Sequence, residues 1–315
     1  MSVFTPVSAA DARALLAHYT LGEVESLEGI AQGIENTNYF LTTTTGAYVL
    51  TLFEQIPRDD LPFYVDLMAH LSGHGVACPV PMARDDGALL SEVNGKPAVI
   101  VSRLPGAPRA QPDAASCRSA GALLGRVHNE GVGLDEGLDN WRGRAWRESF
   151  ARKVAPRLTE AENALVADEN RFQATIDEAQ LPEGIIHGDY FHDNVLWNPE
   201  DGEPGVIDFY FACDDALLYD LAIAVNDWCV LPDATLDAAR VHAFVAGYRH
   251  ERPLEDVELA AWPAMLRRAA LRTWLGRLGY NHFPRDAQMT IPKDHRFSQR
   301  LLEFHRDGAE PLEPA

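Results

Sequence analysis

The sequence predicts an α+β fold with a sheet-rich N-terminal part and a larger, mainly helical remainder. Three observations predict it. Runs rich in β-branched and aromatic residues recur between Val24 and Phe53 and again between Ala88 and Arg103. From residue 113 onward, apolar residues repeat at helical spacing. Embedded in that helical part is one stretch of different character, IIHGDYFHDNVLWNPEDGEPGVIDF over residues 185–209, in which Asn198, Pro199, Gly202, Pro204 and Gly205 break the chain between two short apolar arms.

Taken in order, Ser8 and Asp11 have the spacing of a capping box and open a helix running to about Tyr19. Strands are expected over Val24 to Ile30, Thr37 to Thr43 and Tyr48 to Phe53, with Gly46 marking the turn between the last two. The small-residue loop between the first pair, 29–38, has backbone amides of the kind that cover phosphates. Asp59 or Asp60 caps a helix with Pro62 in its first turn, extending to about Ser72, and Phe63, Leu67 and Leu71 form its apolar stripe. Strands over Ala88 to Glu92 and Ala98 to Arg103 flank Asn94-Gly95, a strong hairpin signal. The run Leu104-Pro105-Gly106-Ala107-Pro108 marks a domain boundary, giving domains 1–104 and 105–315. Helices follow over Ala115 to Asn129, over Trp146 to Glu178 with an interruption near Pro156, and at about 217–230, 233–249, 254–279 and 295–306.

At 315 residues the chain has room for two cores, and its 46% hydrophobic content is ordinary for a globular protein. A formal charge of -20 argues against nucleic acid or an anionic membrane as the main partner. Cys78, Cys117, Cys213 and Cys229 are scattered without C-x-x-C spacing, so buried free thiols in a reducing, cytoplasmic compartment are expected. The N-terminus lacks the basic start and apolar core of a signal peptide, and no apolar run approaches the roughly 20 residues of a membrane helix.

The 185–209 stretch reads as a buried strand at Ile185-Ile186, a loop, and a hairpin with arms Asn194 to Trp197 and Val206 to Phe209. Folding back places Asn194 and Asp208 side by side, with Asp189 on the loop before them. Two carboxylates and an amide at one mouth form a hard-oxygen site that suits Mg²⁺.

His187-Gly188-Asp189, Asn194 and Val206-Ile207-Asp208-Phe209 together resemble the signature of the aminoglycoside phosphotransferase and choline kinase superfamily. GIENTNYFLTT resembles its phosphate loop, ALLGRVH the helix after its linker, and LLYDLAIAVNDW the segment after its metal-binding Asp. Within that group YVLTLFE, VIDFYFACDDALLYDLAIAVNDWC and LRRAALRTWLGRL with HFPR behind it look like the homoserine kinases. The resemblance covers nearly the whole chain. It implies a bilobal protein-kinase-like fold, an N-terminal antiparallel-sheet lobe that binds nucleotide, and a helical lobe that binds the acceptor. It further implies ATP as co-substrate, Mg²⁺, and homoserine as the small-molecule acceptor on the route to threonine. Kinases of choline, an aminoglycoside or another amino alcohol are the alternative.

The resemblance assigns Asp189 as the base that takes the proton of the attacking hydroxyl, Asn194 and Asp208 as Mg²⁺ ligands, and His187 as a structural support. Gly33, Asn36, Thr37 and Asn38 are candidates for phosphate contacts, and backbone groups near Ser102 and Leu104 for the adenine. The acceptor's ammonium and carboxylate require an acid and a cation: Asp193, Asp227 and Asp215 are candidates for the first, and Arg268 with Arg272, one helical turn apart, for the second. Trp228, Tyr210 and Trp274 are candidate walls. One departure stands out. Thr51 occupies the third-strand position where the superfamily usually carries Lys or Arg, and neither residue occurs between 31 and 57. A catalytically silent nucleotide-binding regulator is therefore a further reading.

Overall fold

The computed structural model describes residues 3–30, 35–134, 137–283, 294–308 and 311–312. Two units divide between Pro105 and Gly106.

In the first unit, Ser8 and Asp11 cap helix α1 (Ala9–Leu16) reciprocally, each side chain bonded to the other's backbone N–H. The helix stops three residues short of the expected end. Strands β1 (Val24–Gly29), β2 (Thr37–Thr43), β3 (Gly46–Leu52), β4 (Ser91–Val93) and β5 (Lys96–Ser102) form one antiparallel sheet in the order β1-β2-β3-β5-β4. Asn94 and Gly95 join β4 to β5 at φ 53° and 77°, the left-handed pair a two-residue turn requires. Helix α2 (Leu61–Gly73) starts with Pro62 in its first turn, but Asp60 makes no side-chain cap bond.

Alternation sorts the sheet into two faces. Tyr39, Leu41, Leu50, Leu52, Ala98 and Ile100 pack with Leu15 and Leu16 of α1 into one core. Asn38, Thr51 and Val99 then lie in one cross-strand row on the opposite face.

In the second unit, α3 (Ala114–Glu130) begins at the capping residue Asp113. Helices α4 (Arg144–Val154) and α5 (Glu160–Gln173) are separated around Pro156 as expected. Next come β6 (Glu183–Ile186), β7 (Val195–Trp197), β8 (Pro204–Val206) and β9 (Cys213–Ala216), followed by α6 (Leu217–Trp228), α7 (Ala238–Glu251), α8 (Asp256–His282) and α9 (His295–Gly308). The expected hairpin forms, but its second arm is Pro204–Val206 rather than Val206 to Phe209. Val195 pairs with Val206, so the chain leaves the ladder before Asp208. Strand β9 was not legible in Cys213-Asp214-Asp215-Ala216. Its two aspartates suit no isolated strand, and it exists because β6 pairs with it along its whole length.

Helix α3 crosses α7 at reciprocal glycines. A Cβ on Gly121 would meet the Phe244 carbonyl oxygen at 2.0 Å, and one on Gly247 would meet the Arg118 carbonyl oxygen at 2.0 Å. Backbone cannot turn aside as a side-chain end can, so the two helices hold this spacing only with hydrogen in both places. Gly247→Ala is expected to destabilise the protein by about 3 kcal/mol, the upper end of overpacking costs. Urea unfolding of the variant beside wild type measures it, and a loss below about 1 kcal/mol contradicts the tight crossing.

Candidate active site

A carboxylate in the middle of an apolar helix positions the loop that carries Asp189. Asp220 lies on α6 between Leu217, Leu218, Tyr219 and Leu221, Ala222, Ile223, all buried. Its Oδ2 accepts the His187 N–H at 2.7 Å and its Oδ1 the Gly188 N–H at 2.9 Å. His128 Nε2 donates a third bond to Oδ2 at 3.0 Å. Burial by itself raises the Asp220 pKa, but the His128 bond, the nearby histidines and the amides outweigh it and hold the carboxyl below its ordinary value. Behind His128, Tyr248 Oη donates to Nδ1 at 2.7 Å and accepts from Arg252 Nη1 at 3.2 Å. Arg252 in turn bonds both oxygens of Glu258. The relay is complete from an ion pair to the two loop amides.

His187 is fixed as one tautomer by its partners. The Asp189 N–H donates to Nδ1 at 3.2 Å, so the proton sits on Nε2, which donates to the Ile207 carbonyl at 3.0 Å. Desolvation lowers its pKa and keeps the ring neutral. Gly188 has φ 72°, and a Cβ there would lie 2.5 Å from the Phe211 carbonyl oxygen, so both conformation and space demand glycine.

This scaffold brings Asn194 against Asp189 and sets the backbone leading to Asp208 beside Asn194. Asn194 Nδ2 donates to the Asp189 carbonyl at 2.9 Å and lies 3.5 Å from Asp189 Oδ2. The Ile207 N–H donates to the Asn194 carbonyl at 2.9 Å, so Asp208 follows directly from Asn194's ladder partner. Asp208 is left-handed at φ 67°, a conformation costing of order 1 kcal/mol outside glycine, though Asp tolerates it better than most. With Asn194's amide nitrogen committed to Asp189, its Oδ1 occupies the other edge of the amide. An amide oxygen and a carboxylate are donor types that fit Mg²⁺. Among the described residues no three His, Cys, Asp or Glu side chains gather around a metal position.

Asp189 is 17% exposed, and Arg272 Nη2, on a side chain 5% exposed, donates to its Oδ1 at 3.3 Å. Desolvation raises the Asp189 pKa, with Arg272, Arg142 and His187 opposing.

The remaining expectations fare unevenly. Arg268 does not pair with Arg272 as a fork: its guanidinium is bidentate on Asp215, at 2.9 and 2.6 Å, with Glu178 3.4 Å away. Asp215 is thereby taken as well. Asp227 Oδ2 accepts from both the backbone N–H and the ring Nδ1 of His192 at 2.7 Å, so this acid is already engaged within the fold. Trp228 and Trp274 are fully buried, Trp228 bonding the Tyr190 carbonyl, and both are core rather than pocket wall. Asp193 is exposed and Tyr210 half-buried on the same loop system. Sequence reasoning passed over Trp141, Arg142 and Phe211, which stack beside Asp189. No local signal marks them. Asp220 did carry one, a lone acid within an apolar run, which is costly unless paired.

In the first unit, Gly33 falls outside the described residues. Thr37 is buried with its hydroxyl donating to Glu54 at 2.7 Å and accepting from the Phe4 and Thr5 amides, so its side chain serves the fold and not a phosphate. The Ser102 N–H is likewise taken, by the Val80 carbonyl at 2.8 Å. Leu104 is half-buried at the end of the unit. Asn36 is buried with its Oδ1 unbonded among the described residues. Thr51 donates to Asn38 Oδ1 at 2.7 Å, which orients the Asn38 NH₂ away from the strand it faces. Lys96 pairs with Glu54 at 3.0 Å, the ion pair nearest this sheet region.

The chain belongs to the phosphotransferase enzyme family, whose model matches residues 26–254. It is 49% identical over 312 residues to homoserine kinase of Methylobacillus flagellatus, covering 99% of this chain and 98% of that one. It is 43% identical over 316 residues to homoserine kinase of Janthinobacterium sp., again covering 99% and 98%. An amicoumacin kinase solved in complex with AMP-PNP and Ca²⁺ has the same fold, with TM-score 0.72 at 18% identity over 96% of this chain and 93% of that one. A microcompartment-associated aminopropanol kinase matches at TM-score 0.68 and 18% identity, over 95% and 94%. The α+β, protein-kinase-like fold expected from the sequence is the one found. No helix among the described residues is long and apolar enough to cross a membrane.

Two buried histidines make stability depend on pH. His187 has a lowered pKa, and burial brings His305, bonded through Nε2 to Asn226 Oδ1 at 2.7 Å, down to about 4. Below the ordinary histidine value of 6.5 the unfolded chain takes up protons that the folded one refuses, so stability falls as pH falls from 6.5 toward 4. Each histidine contributes a slope of at most about 1.4 kcal/mol per pH unit. Urea titrations across this range should show the fall, shallower in His305→Gln; an equal slope in that variant contradicts the assignment.

Proposed function

We infer that the chain transfers the γ-phosphate of ATP to the side-chain hydroxyl of L-homoserine, giving O-phospho-L-homoserine for threonine synthesis. Its near full-length identity with several homoserine kinases carries this reading. The bond from Asn194 to the Asp189 carbonyl, and the backbone bond that sets Ile207, the residue before Asp208, against Asn194, support the chemistry.

Asp189 accepts a hydrogen bond from the attacking hydroxyl and takes its proton as the new O–P bond forms and the bond from the γ-phosphorus to the bridging oxygen breaks, that oxygen leaving with ADP. Its raised pKa brings the base closer to working pH, where proton transfer is most effective. Arg272 holds Oδ1, which orients the carboxylate for this task. Asn194 and Asp208 would hold Mg²⁺, which would neutralise charge on the phosphates. His187, neutral and locked, keeps the Ile207 carbonyl and the Asp189 amide in register, so the two sides of the site move as one piece. In the first unit Asn36 and Asn38 contact phosphates, with Thr51 orienting Asn38, and the backbone near Leu104 meets the adenine. The buried, unbridged cysteines support a cytoplasmic protein.

A coupled assay with homoserine, choline, an aminoglycoside and simple amino alcohols tests the acceptor: homoserine should give the highest kcat/KM, and another preferred acceptor would displace it. Asp189→Asn should lower kcat by about 10²–10⁴ with little change in the KM for ATP. An unchanged rate in that variant removes Asp189 as the base. Asp208→Asn should raise the Mg²⁺ concentration needed for half-maximal rate, and an unaltered Mg²⁺ dependence removes it as a ligand.

A further inference from the structure

Two arginines from different elements share one ring near Asp189: Arg272, a candidate from the sequence for the acceptor's carboxylate, and Arg142, which was not one. Arg272 projects from α8. Arg142 comes from the segment before α4, and its Nη1 lies 3.9 Å from where a Cβ on Gly276 would be, one turn along α8 from Arg272. Both guanidiniums rest on the same ring: Arg142 Cζ is 4.5 Å and Arg272 Cζ 5.7 Å from the Phe211 centroid. Trp141 stacks on Phe211 at 5.5 Å and is 47% exposed, so the cluster has an aromatic outer face open to solvent.

Arg142 is held in place by a relay that explains what Arg268 does. Arg268 grips Asp215, and Asp215 Oδ2 accepts from Asn140 Nδ2 at 2.6 Å. Asn140 Oδ1 then accepts the Arg142 N–H at 2.8 Å, and its carbonyl accepts the Gly143 N–H at 2.8 Å. The Asp214 N–H bonds the Leu138 carbonyl at 2.7 Å, tying the same segment to β9. Arg268 is a positioning residue for the Trp141-Arg142 segment.

We propose that Arg142 and Arg272, set around Phe211 beside Asp189, bind the carboxylate of the acceptor and so select an amino-acid alcohol over a plain amino alcohol. The inference rests on the acceptor reading above and deepens it. Planar guanidiniums recognise a carboxylate by paired N–H bonds, and aromatic faces restrict their rotation. In homoserine the carboxyl carbon is four bonds from the hydroxyl oxygen, roughly 5 Å when extended given C–C bonds near 1.5 Å. A hydroxyl at Asp189 therefore leaves the carboxylate within reach of a group that neighbours Asp189. Arg268 cannot serve this purpose because both of its terminal nitrogens already face Asp215.

The test compares L-homoserine with 3-aminopropan-1-ol, which keeps the hydroxyl-to-ammonium spacing and lacks the carboxylate. Wild type should favour homoserine strongly in kcat/KM. In Arg142→Ala that preference should shrink by about 10- to 100-fold, mostly through the KM for homoserine, as expected when a charged hydrogen-bonding partner of a substrate group is removed. Arg142→Lys keeps the charge without the planar fork, guards against a folding defect, and should fall between the two. If both acceptors lose activity in parallel in both variants, or neither does, Arg142 does not read the carboxylate. Should wild type turn over both acceptors equally, carboxylate selection is wrong while phosphotransfer stands. No turnover of homoserine at all sinks the acceptor reading itself, and this inference with it.

Discussion

Asp220 is the group on which the loop geometry depends. A carboxylate buried within an apolar helix is unfavourable unless its lone pairs are filled, and here three donors fill them. Two of those donors are consecutive amides of the loop that carries Asp189. The energetic need of one buried charge is thereby converted into a fixed backbone. Removing one partner of such a group typically costs 3–5 kcal/mol, so the arrangement persists only as a whole. The second sphere, His128 with Tyr248, Arg252 and Glu258, gives the charge its return path to an ion pair.

A second buried acid, Asp215, does for the other side what Asp220 does for the loop. It joins Arg268 on α8 to Asn140, and through Asn140 to the segment bearing Trp141 and Arg142. Two arginines one turn apart on α8 thus have unlike duties. Arg268 is consumed in structure, while Arg272 faces Asp189. Helical spacing made them look like one fork; their partners separate them.

In the first unit, a neutral pair stands at the third-strand position. Thr51 lies opposite Asn38 in the ladder and its hydroxyl fixes that amide. Orientation of an amide donor requires only one hydrogen bond, whereas a buried lysine would require a carboxylate to match it. Glu54 is already engaged with Lys96 and Thr37.

The amino-acid sequence by itself determined the α+β character, most helix and strand positions, and the contact of Asn194 with the Asp189 loop. These follow from local causes: apolar periodicity, caps such as Ser8 and Asp113, the Asn94-Gly95 turn, and a hairpin short enough to bring its ends together. Tertiary structure alone decided which polar groups are spent on the fold. Thr37, Asp227 and Arg268 look like binding residues in a linear reading, and each is engaged by a partner contributed from elsewhere in the chain. Trp141, Arg142 and Phe211 show the converse, since residues distant in sequence acquire a shared surface only through packing. The physical reason is the same in both cases: a hydrogen bond or ring contact depends on separation in space, and beyond one turn or one hairpin the sequence does not encode that separation locally.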